Sequence, residues 1–283
     1  MEIGTIGVIG VGTMGSGVVE VAARSGVQVV ARESSPELVE AGRSRVEKSM
    51  DRGVARGKLD EAARDAASAA ITWTTDLGDL AGCDLVLEAV PENLPLKLEI
   101  FGVLDQVLDP SAIMATNTSS IPIIDVAMGT SRPQQVLGMH FFNPATVMKL
   151  VEVISTQLTA PEVTEAATAF ATDTLGKRVV AAPDRAGFVV NKLLVPYICQ
   201  AIEMYESGHA SAGDIDDAMK LGAGHPMGPL TLADLIGLDV CLFTAESLYA
   251  EYAERFYAPP PLLRRMVAAG RLGRKTGGGF YEY

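Results

Sequence analysis

The sequence predicts an α/β protein: a doubly wound, mostly parallel sheet followed by an all-α carboxy-terminal domain. Three observations carry this. Short apolar runs alternate with helical patterns from Ile6 to Ala182, the βα rhythm of a parallel sheet. Gly10, Gly12 and Gly15 stand in G-x-G-x-x-G spacing between the first apolar run and the first helix. After Arg185-Ala186-Gly187 the strand runs stop, and the chain reads as helix almost to its end. The expected division is therefore residues 1–185 and 186–283.

The first element is the strand Ile6 to Ile9. Each glycine after it has a physical task. Gly10 allows the tight turn from strand to helix. Gly12 has no Cβ to keep a pyrophosphate from the backbone. Gly15 lets the helix pack closely on the strand. Thr13 and Met14 lie in the helix's first turn, whose N–H groups and positive dipole end suit an anion. The helix continues through Val18, Val19 and Val21 to Ala23. A second strand, Val27 to Ala31, ends in Arg32-Glu33. Glu33 lies eighteen residues past Gly15, where an acid binds the adenosine ribose 2′-hydroxyl of NAD. A glycine turn followed by a solvated charge is the plainer alternative; strand, loop, helix and acid in register favour a Rossmann-like, NAD-binding domain. Arg32 leaves NADP open, because an arginine there can accept a 2′-phosphate.

Val39 to Lys58 reads as a long helix. Arg45, Lys48, Arg52 and Arg56 recur at steps of three, four and four, which places them on one face. That stripe is either a solvated face or a docking surface for a phosphorylated carrier. Gly53 and Gly57 weaken its end. Ile71 to Thr75 is a strand, and Leu85 to Val90 a stronger, apolar one broken by Pro91-Glu92-Asn93. Leu94 to Leu108 is an amphipathic helix. Ala112 to Ala115 is a strand leading into Thr116-Asn117-Thr118-Ser119-Ser120. A short helix follows Pro122, then strands at Val136 to Met139 and Leu150 to Ile154, a helix from Thr164 to Leu175, and a last strand at Arg178 to Ala182. The long apolar helix Phe188 to Glu206 opens the helical domain.

Composition narrows the function. With 48% apolar and 20% charged residues the chain is an ordinary globular protein. Its net charge of −12 argues against nucleic acid or an anionic membrane as partner, and no apolar run is long enough to span a bilayer. Cys83, Cys199 and Cys241 are scattered without metal-ligand spacing. They read as small buried hydrophobes in a reducing compartment, the cytoplasm, and no metal is expected. The amino terminus reads as a strand rather than a signal peptide.

Of the three histidines, His140 follows the strand Val136–Met139, on the sheet edge where a dinucleotide should lie. Imidazole titrates near neutral pH and suits the proton transfer that accompanies hydride loss from an alcohol. Glu152 stands inside the apolar run Lys149-Leu-Val-Glu-Val-Ile. A buried carboxylate is costly unless paired; pairing with His140 would satisfy both groups, while strand alternation would instead turn Glu152 to solvent. Ser119 either binds a substrate oxygen or, like Ser120, caps the helix after Pro122. Asn191 is either an ordinary buried amide or a second ligand of the same oxygen.

At this level of detail the chain resembles the short-chain 3-hydroxyacyl-CoA dehydrogenases. The likeness runs from Ile6 to Tyr283 through GVGTMGSG, EAVPENLPLK, TNTSSIPI, HFFNPATVMKLVEVI, GFVVNKLLVPY, DIDDAMKLGAGHPMGPL and GRKTGGGFYEY. The resemblance implies a histidine–glutamate acid/base pair at His140 and Glu152, with Ser119 and Asn191 on the acyl oxygens. It places Glu92, Lys97 and Asn143 at the cofactor, and Ser49 and Arg56 at CoA; Asn117, just past its strand, is a further cofactor candidate, and Arg52, on the basic stripe, a further CoA candidate. It further implies a short-chain acyl-CoA substrate, fatty acid or butanoate metabolism, and a homodimer formed through a helical substrate and dimerisation domain. Two departures stand out: Ala186 replaces the usual proline before GFVVN, and Ala145-Thr146 follows HFFNP. A dehydrogenase of a non-CoA hydroxy acid or sugar acid, and a catalytically silent nucleotide-binding protein, are the competing readings.

Overall fold

Strand β1 (Thr5–Ile9) lies in the middle of the molecule's sheet, and its neighbours explain where a ligand would sit. The computed structural model describes residues 3–283. Eight strands form one sheet in the order β3-β2-β1-β4-β5-β6-β7-β8. The chain runs outward from β1 through β2 (Gln28–Arg32) to β3 (Ile71–Thr74), then crosses to β4 (Leu85–Glu88) on the other side of β1. That reversal of winding opens a crevice at the carboxyl ends of β1 and β4. Beyond β4 come β5 (Ile113–Thr116), β6 (Val136–Phe141), β7 (Leu150–Ser155) and β8 (Arg178–Pro183). All neighbouring pairs are parallel except β6 and β7, which are antiparallel. Every residue of β4, β5 and β6 is buried, as expected of strands covered on both faces.

Helices α1 (Thr13–Arg24), α2 (Pro36–Ala55), α3 (Glu61–Ala69), α4 (Leu94–Val107), α5 (Ile123–Ala127) and α6 (Pro161–Ala169) join the strands, and one π-turn, Phe170–Thr174, extends α6. Helix α3 is absent from the sequence reading because its alanine-rich stretch has no large apolar stripe. Its start is nonetheless encoded locally: the Asp60 carboxylate accepts the Ala63 N–H at 2.7 Å. Neither Ser119 nor Ser120 caps α5. Asp184 does, from sixty residues further on, accepting the Ile123 and Ile124 N–H groups at 2.9 and 2.8 Å.

Two strands differ from expectation in ways that matter. The run from Leu85 to Val90 is not purely apolar: Glu88 ends β4 and is fully buried. Strand β6 continues through Phe141, so His140 lies within the strand rather than after it. Phe141 lengthens the apolar run past the histidine, and β7 supplies a partner for each added residue.

The chain divides between Asp184 and Arg185 into two compact units. The second is helical: α7 (Val190–Glu206), α8 (Ala212–Asp217), α9 (Pro229–Ile236), α10 (Leu238–Tyr252) and α11 (Pro261–Ala268). Its core gathers Val195, Ile198, Ile202, Leu230, Leu248 and Leu263. The last residues are clasped to it by two buried carboxylates. Asp234 accepts the Phe280 and Tyr281 N–H groups at 3.0 Å each and the Tyr283 hydroxyl at 3.1 Å. Asp216 accepts the Leu230 N–H at 2.8 Å and the Tyr281 hydroxyl at 2.9 Å. Replacing Asp234 with alanine strips three donors of their acceptor. The expected cost is about 3 kcal/mol, read as a lower urea midpoint for the helical unit; an unchanged midpoint would show that the clasp contributes nothing.

Candidate active site

The glycine loop follows from three steric facts. Gly10 has φ of +85°, and a Cβ there would lie 2.9 Å from the Ala89 carbonyl oxygen. A Cβ on Gly15 would lie 1.9 Å from the Gly10 carbonyl oxygen. Both positions exclude larger residues. A Cβ on Gly12, by contrast, would meet nothing within 4 Å, so the loop presents open space there. Helix α1 then begins at Thr13 with no side-chain cap and no acid in its first turn, whereas Ser35, Asp60 and Asn93 cap α2, α3 and α4. A helix start left without a side-chain acceptor keeps its N–H groups and dipole for an anion. Thr13 is exposed and Met14 half-buried.

Glu33 stands just past β2 beside this loop. Its Oε1 accepts the Val11 N–H at 2.6 Å and its Oε2 the Ser34 N–H at 3.2 Å. Arg32 points elsewhere, its Nε donating to the Thr75 carbonyl at 3.2 Å. Open glycine face, uncapped helix and the carboxylate just past β2 all fit NAD.

His140 and Glu152 face each other across the antiparallel β6–β7 pair. The histidine Nδ1 and the Glu152 Oε2 are 2.7 Å apart, and both side chains are buried. Burial excludes the alternation that would have turned Glu152 to solvent. A carboxylate accepts, so Nδ1 is the donor in this bond. Phe142 packs edge-on against the imidazole, with ring centroids 4.6 Å apart.

A second buried network was missed in the sequence. Glu88 accepts Lys97 Nζ at 2.7 and 2.9 Å, the Thr116 hydroxyl at 2.7 Å and the Val90 N–H at 2.7 Å. Lys97 is itself 1% exposed and lies 3.6 Å from Glu92 Oε2. Glu92 accepts the Thr118 hydroxyl, the Ser119 N–H at 2.6 Å and the Ser119 hydroxyl at 3.0 Å. Glu92, Lys97 and Ser119 thus form one connected group. The signal for its hidden member was available: Glu88 interrupts an apolar strand, as Glu152 does.

The other expected residues are placed as follows. Asn117 joins the ends of β5 and β6, its Oδ1 accepting the Phe141 N–H at 2.9 Å. Asn143 is exposed just beyond β6. Ser49 is half-buried on α2, with Arg52 and Arg56 exposed near its end. Arg45 leaves the expected stripe: its Nη1 donates to the Val11 carbonyl at 3.1 Å. Asn191 occupies the first turn of α7 in the helical unit, half-buried. Lys177 adds a contact that carries no signal in the sequence. Its Nζ donates to the Ala145 and Met148 carbonyls at 2.6 and 2.8 Å, fixing the segment after β6 where the chain departs from the family pattern. Burial, together with the Arg24 charge, lowers its pKa. The three cysteines are free and buried, and burial pushes Cys83 and Cys199 up to about 12.

A switch-point glycine loop built for NAD, on a sheet that also buries an imidazole–carboxylate pair, defines a Rossmann-type NAD-dependent dehydrogenase. Comparison with known proteins narrows the class. Residues 5–185 match the NAD-binding domain of 3-hydroxyacyl-CoA dehydrogenase, and residues 187–283 match that enzyme's carboxy-terminal domain. The chain belongs to the 3-hydroxyacyl-CoA dehydrogenase family. It is 52% identical over 279 residues to a 3-hydroxybutyryl-CoA dehydrogenase of Mycobacterium tuberculosis, covering 98% of each chain. The crystal structure of M. tuberculosis FadB2 superposes with a TM-score of 0.99 at 51% identity, covering 100% of both chains. The (S)-3-hydroxybutyryl-CoA dehydrogenase PaaH1 of Ralstonia eutropha superposes with a TM-score of 0.95 at 44% identity, covering 100% of this chain and 99% of its own.

The buried Glu88–Lys97 pair gives a stability test. Lys97→Met leaves Glu88 without its counter-charge and should cost about 3–5 kcal/mol, while the double variant Glu88→Gln/Lys97→Met should recover most of it. Additive losses in chemical denaturation would show that the two side chains are not energetically coupled.

Proposed function

We propose that this chain catalyses the reversible, NAD-linked oxidation of (S)-3-hydroxybutyryl-CoA, or a similar short 3-hydroxyacyl-CoA, to the 3-oxoacyl-CoA. The observation that carries the chemistry is the buried 2.7 Å contact between His140 and Glu152. The substrate class is supported by the names of the relatives. When bound, NAD supplies the acceptor for the hydride on C3. His140 Nε2 takes the proton of the 3-hydroxyl, and Glu152, on the opposite ring nitrogen, fixes the tautomer and stabilises the imidazolium that forms. In reduction the imidazolium returns that proton to the new alkoxide. The Ser119 hydroxyl, which here donates to Glu92, turns to the acyl oxygen, and Asn191 is the second donor to it.

Gly10, Gly12, Thr13, Met14 and Gly15 hold the pyrophosphate, and Glu33 holds the adenosine ribose. A carboxylate there repels a 2′-phosphate, which together with Arg32 directed at Thr75 favours NAD over NADP. Glu92, Lys97, Asn117 and Asn143 serve the nicotinamide end. Ser49, Arg52 and Arg56 receive CoA, whose phosphates need local positive charge on a protein of net charge −12. In the helical unit, Leu193, Leu221, Leu235, Phe243 and Tyr249 are exposed apolar side chains, which supports homodimerisation through that unit. Among the described residues no helix is long and apolar enough to cross a membrane. A cytoplasmic enzyme of fatty acid or butanoate metabolism is the setting that fits.

The proposal predicts that acetoacetyl-CoA oxidises NADH far faster than free acetoacetate does, and far faster than with NADPH. His140→Ala should lower kcat by about a thousandfold while NADH still binds, and Glu152→Gln by about a hundredfold or more. Residual kcat within a few-fold of wild type in His140→Ala would exclude the acid/base role. Equal rates with free acetoacetate would exclude a CoA substrate. Charge reversal of Arg52 and Arg56 should raise the acetoacetyl-CoA KM and flatten its salt dependence; an unchanged KM would return both residues to simple solvation.

A further inference from the structure

Helix α2 carries a basic face, and the structure divides it. Arg43 lies over the Trp73 ring at 5.7 Å. Lys48, Arg52 and Arg56 are exposed further along. Arg45, also exposed, reaches the glycine loop with its end and donates from Nη1 to the Val11 carbonyl oxygen at 3.1 Å. One turn earlier, Gly42 eases this approach: a Cβ there would lie 3.0 Å from Val11 Cβ and Cγ1, so a larger residue would push α2 or Val11 back by a few tenths of an ångström. Val11 is therefore held at both ends of its backbone. Glu33 Oε1 accepts its N–H at 2.6 Å, and Arg45 binds its carbonyl. Val11 is also fully buried, between the two glycines whose geometry the loop depends on.

We propose that Arg45 is a positioning residue of the dinucleotide loop and has no part in docking the acyl-CoA. The proposal rests on the reading that this loop and Glu33 hold NAD. Glu33 has two tasks under that reading: it holds the Val11 N–H and accepts ribose hydroxyls. Sharing its carboxylate with a ribose loosens the N–H side of the grip. The Arg45 contact has no competing partner in the loop, so it keeps the Val11 peptide, and with it the Gly10–Gly12 turn, in register while the cofactor enters. A guanidinium donating to a neutral carbonyl is a charge-assisted bond. Its loss at a partly exposed site is expected to weaken binding about five- to tenfold.

The test separates Arg45 from the rest of its helix face. Calorimetric Kd values are measured for NADH and for ADP-ribose, which lacks the nicotinamide, on wild type, Arg45→Ala and Arg52→Glu. The acetoacetyl-CoA KM is measured at saturating NADH. Arg45→Ala should raise both nucleotide Kd values about five- to tenfold and leave the acetoacetyl-CoA KM within about twofold of wild type. Arg52→Glu should show the opposite pattern. Arg45→Met keeps the aliphatic stem without the donors and must give the same result; it takes over if the alanine variant fails to fold. Nucleotide Kd values within about twofold of wild type overturn the proposal, as does an acetoacetyl-CoA KM that rises as far as in Arg52→Glu. A wild-type protein that binds neither NADH nor ADP-ribose overturns the cofactor assignment itself, and this proposal with it.

Discussion

A carboxylate in the interior of a sheet must meet a partner, and Glu152 meets His140. Antiparallel pairing of β6 and β7 puts the two residues directly opposite, at the spacing where cross-strand side chains touch. A parallel β7 would not have produced the same register. The single antiparallel pairing in the sheet, where the chain reverses between β6 and β7, lets a short connection bring the carboxylate back against the histidine twelve residues before it. Burial then makes the contact matter, because neither group can be satisfied by water.

The same logic recurs at the sheet's centre. Glu88 and Lys97 are both buried and bonded to each other, and Lys97 is also within 3.6 Å of Glu92. One lysine facing two carboxylates fixes both in place. Glu92 in turn holds the backbone and hydroxyl of Ser119. The loop after β5 is therefore anchored to the loop after β4 by charge rather than by apolar packing. Such networks are costly to break and specify one arrangement, which suits loops that must keep their hydroxyls aligned.

How legible was this in the chain itself? Features set by local sterics were plain. The glycine loop, the acid after β2 and the βα rhythm depend on neighbours in sequence, and each stands where it was expected. Glu152 was legible for a different reason: a carboxylate in an apolar run carries its own demand for a partner, and few histidines were available to meet it. Glu88 makes the same demand, but it ends its strand, where a carboxylate is as easily read as reaching solvent. The end of β6 was misplaced because strand termini depend on the neighbouring strand, which one sequence does not reveal. Helix α3 was missed because alanine gives helix propensity but little periodicity. Arg45 was assigned to a stripe by spacing alone; its tie to Val11 depends on how closely Gly42 lets α2 approach, a tertiary fact. The Asp184 cap on α5 and the Asp216 and Asp234 clasp join residues far apart in sequence and left no local trace.

The central claim of the proposal is that Glu152, by accepting the Nδ1 proton, sets the tautomer of His140 and leaves Nε2 as the unprotonated ring nitrogen. Nitrogen-15 chemical shifts of the histidine rings, with His140 assigned through a His140→Gln variant, test it directly. In the neutral form His140 should show a proton on Nδ1 and none on Nε2. A neutral ring protonated on Nε2 would contradict the account, since that atom could then take no proton from an alcohol.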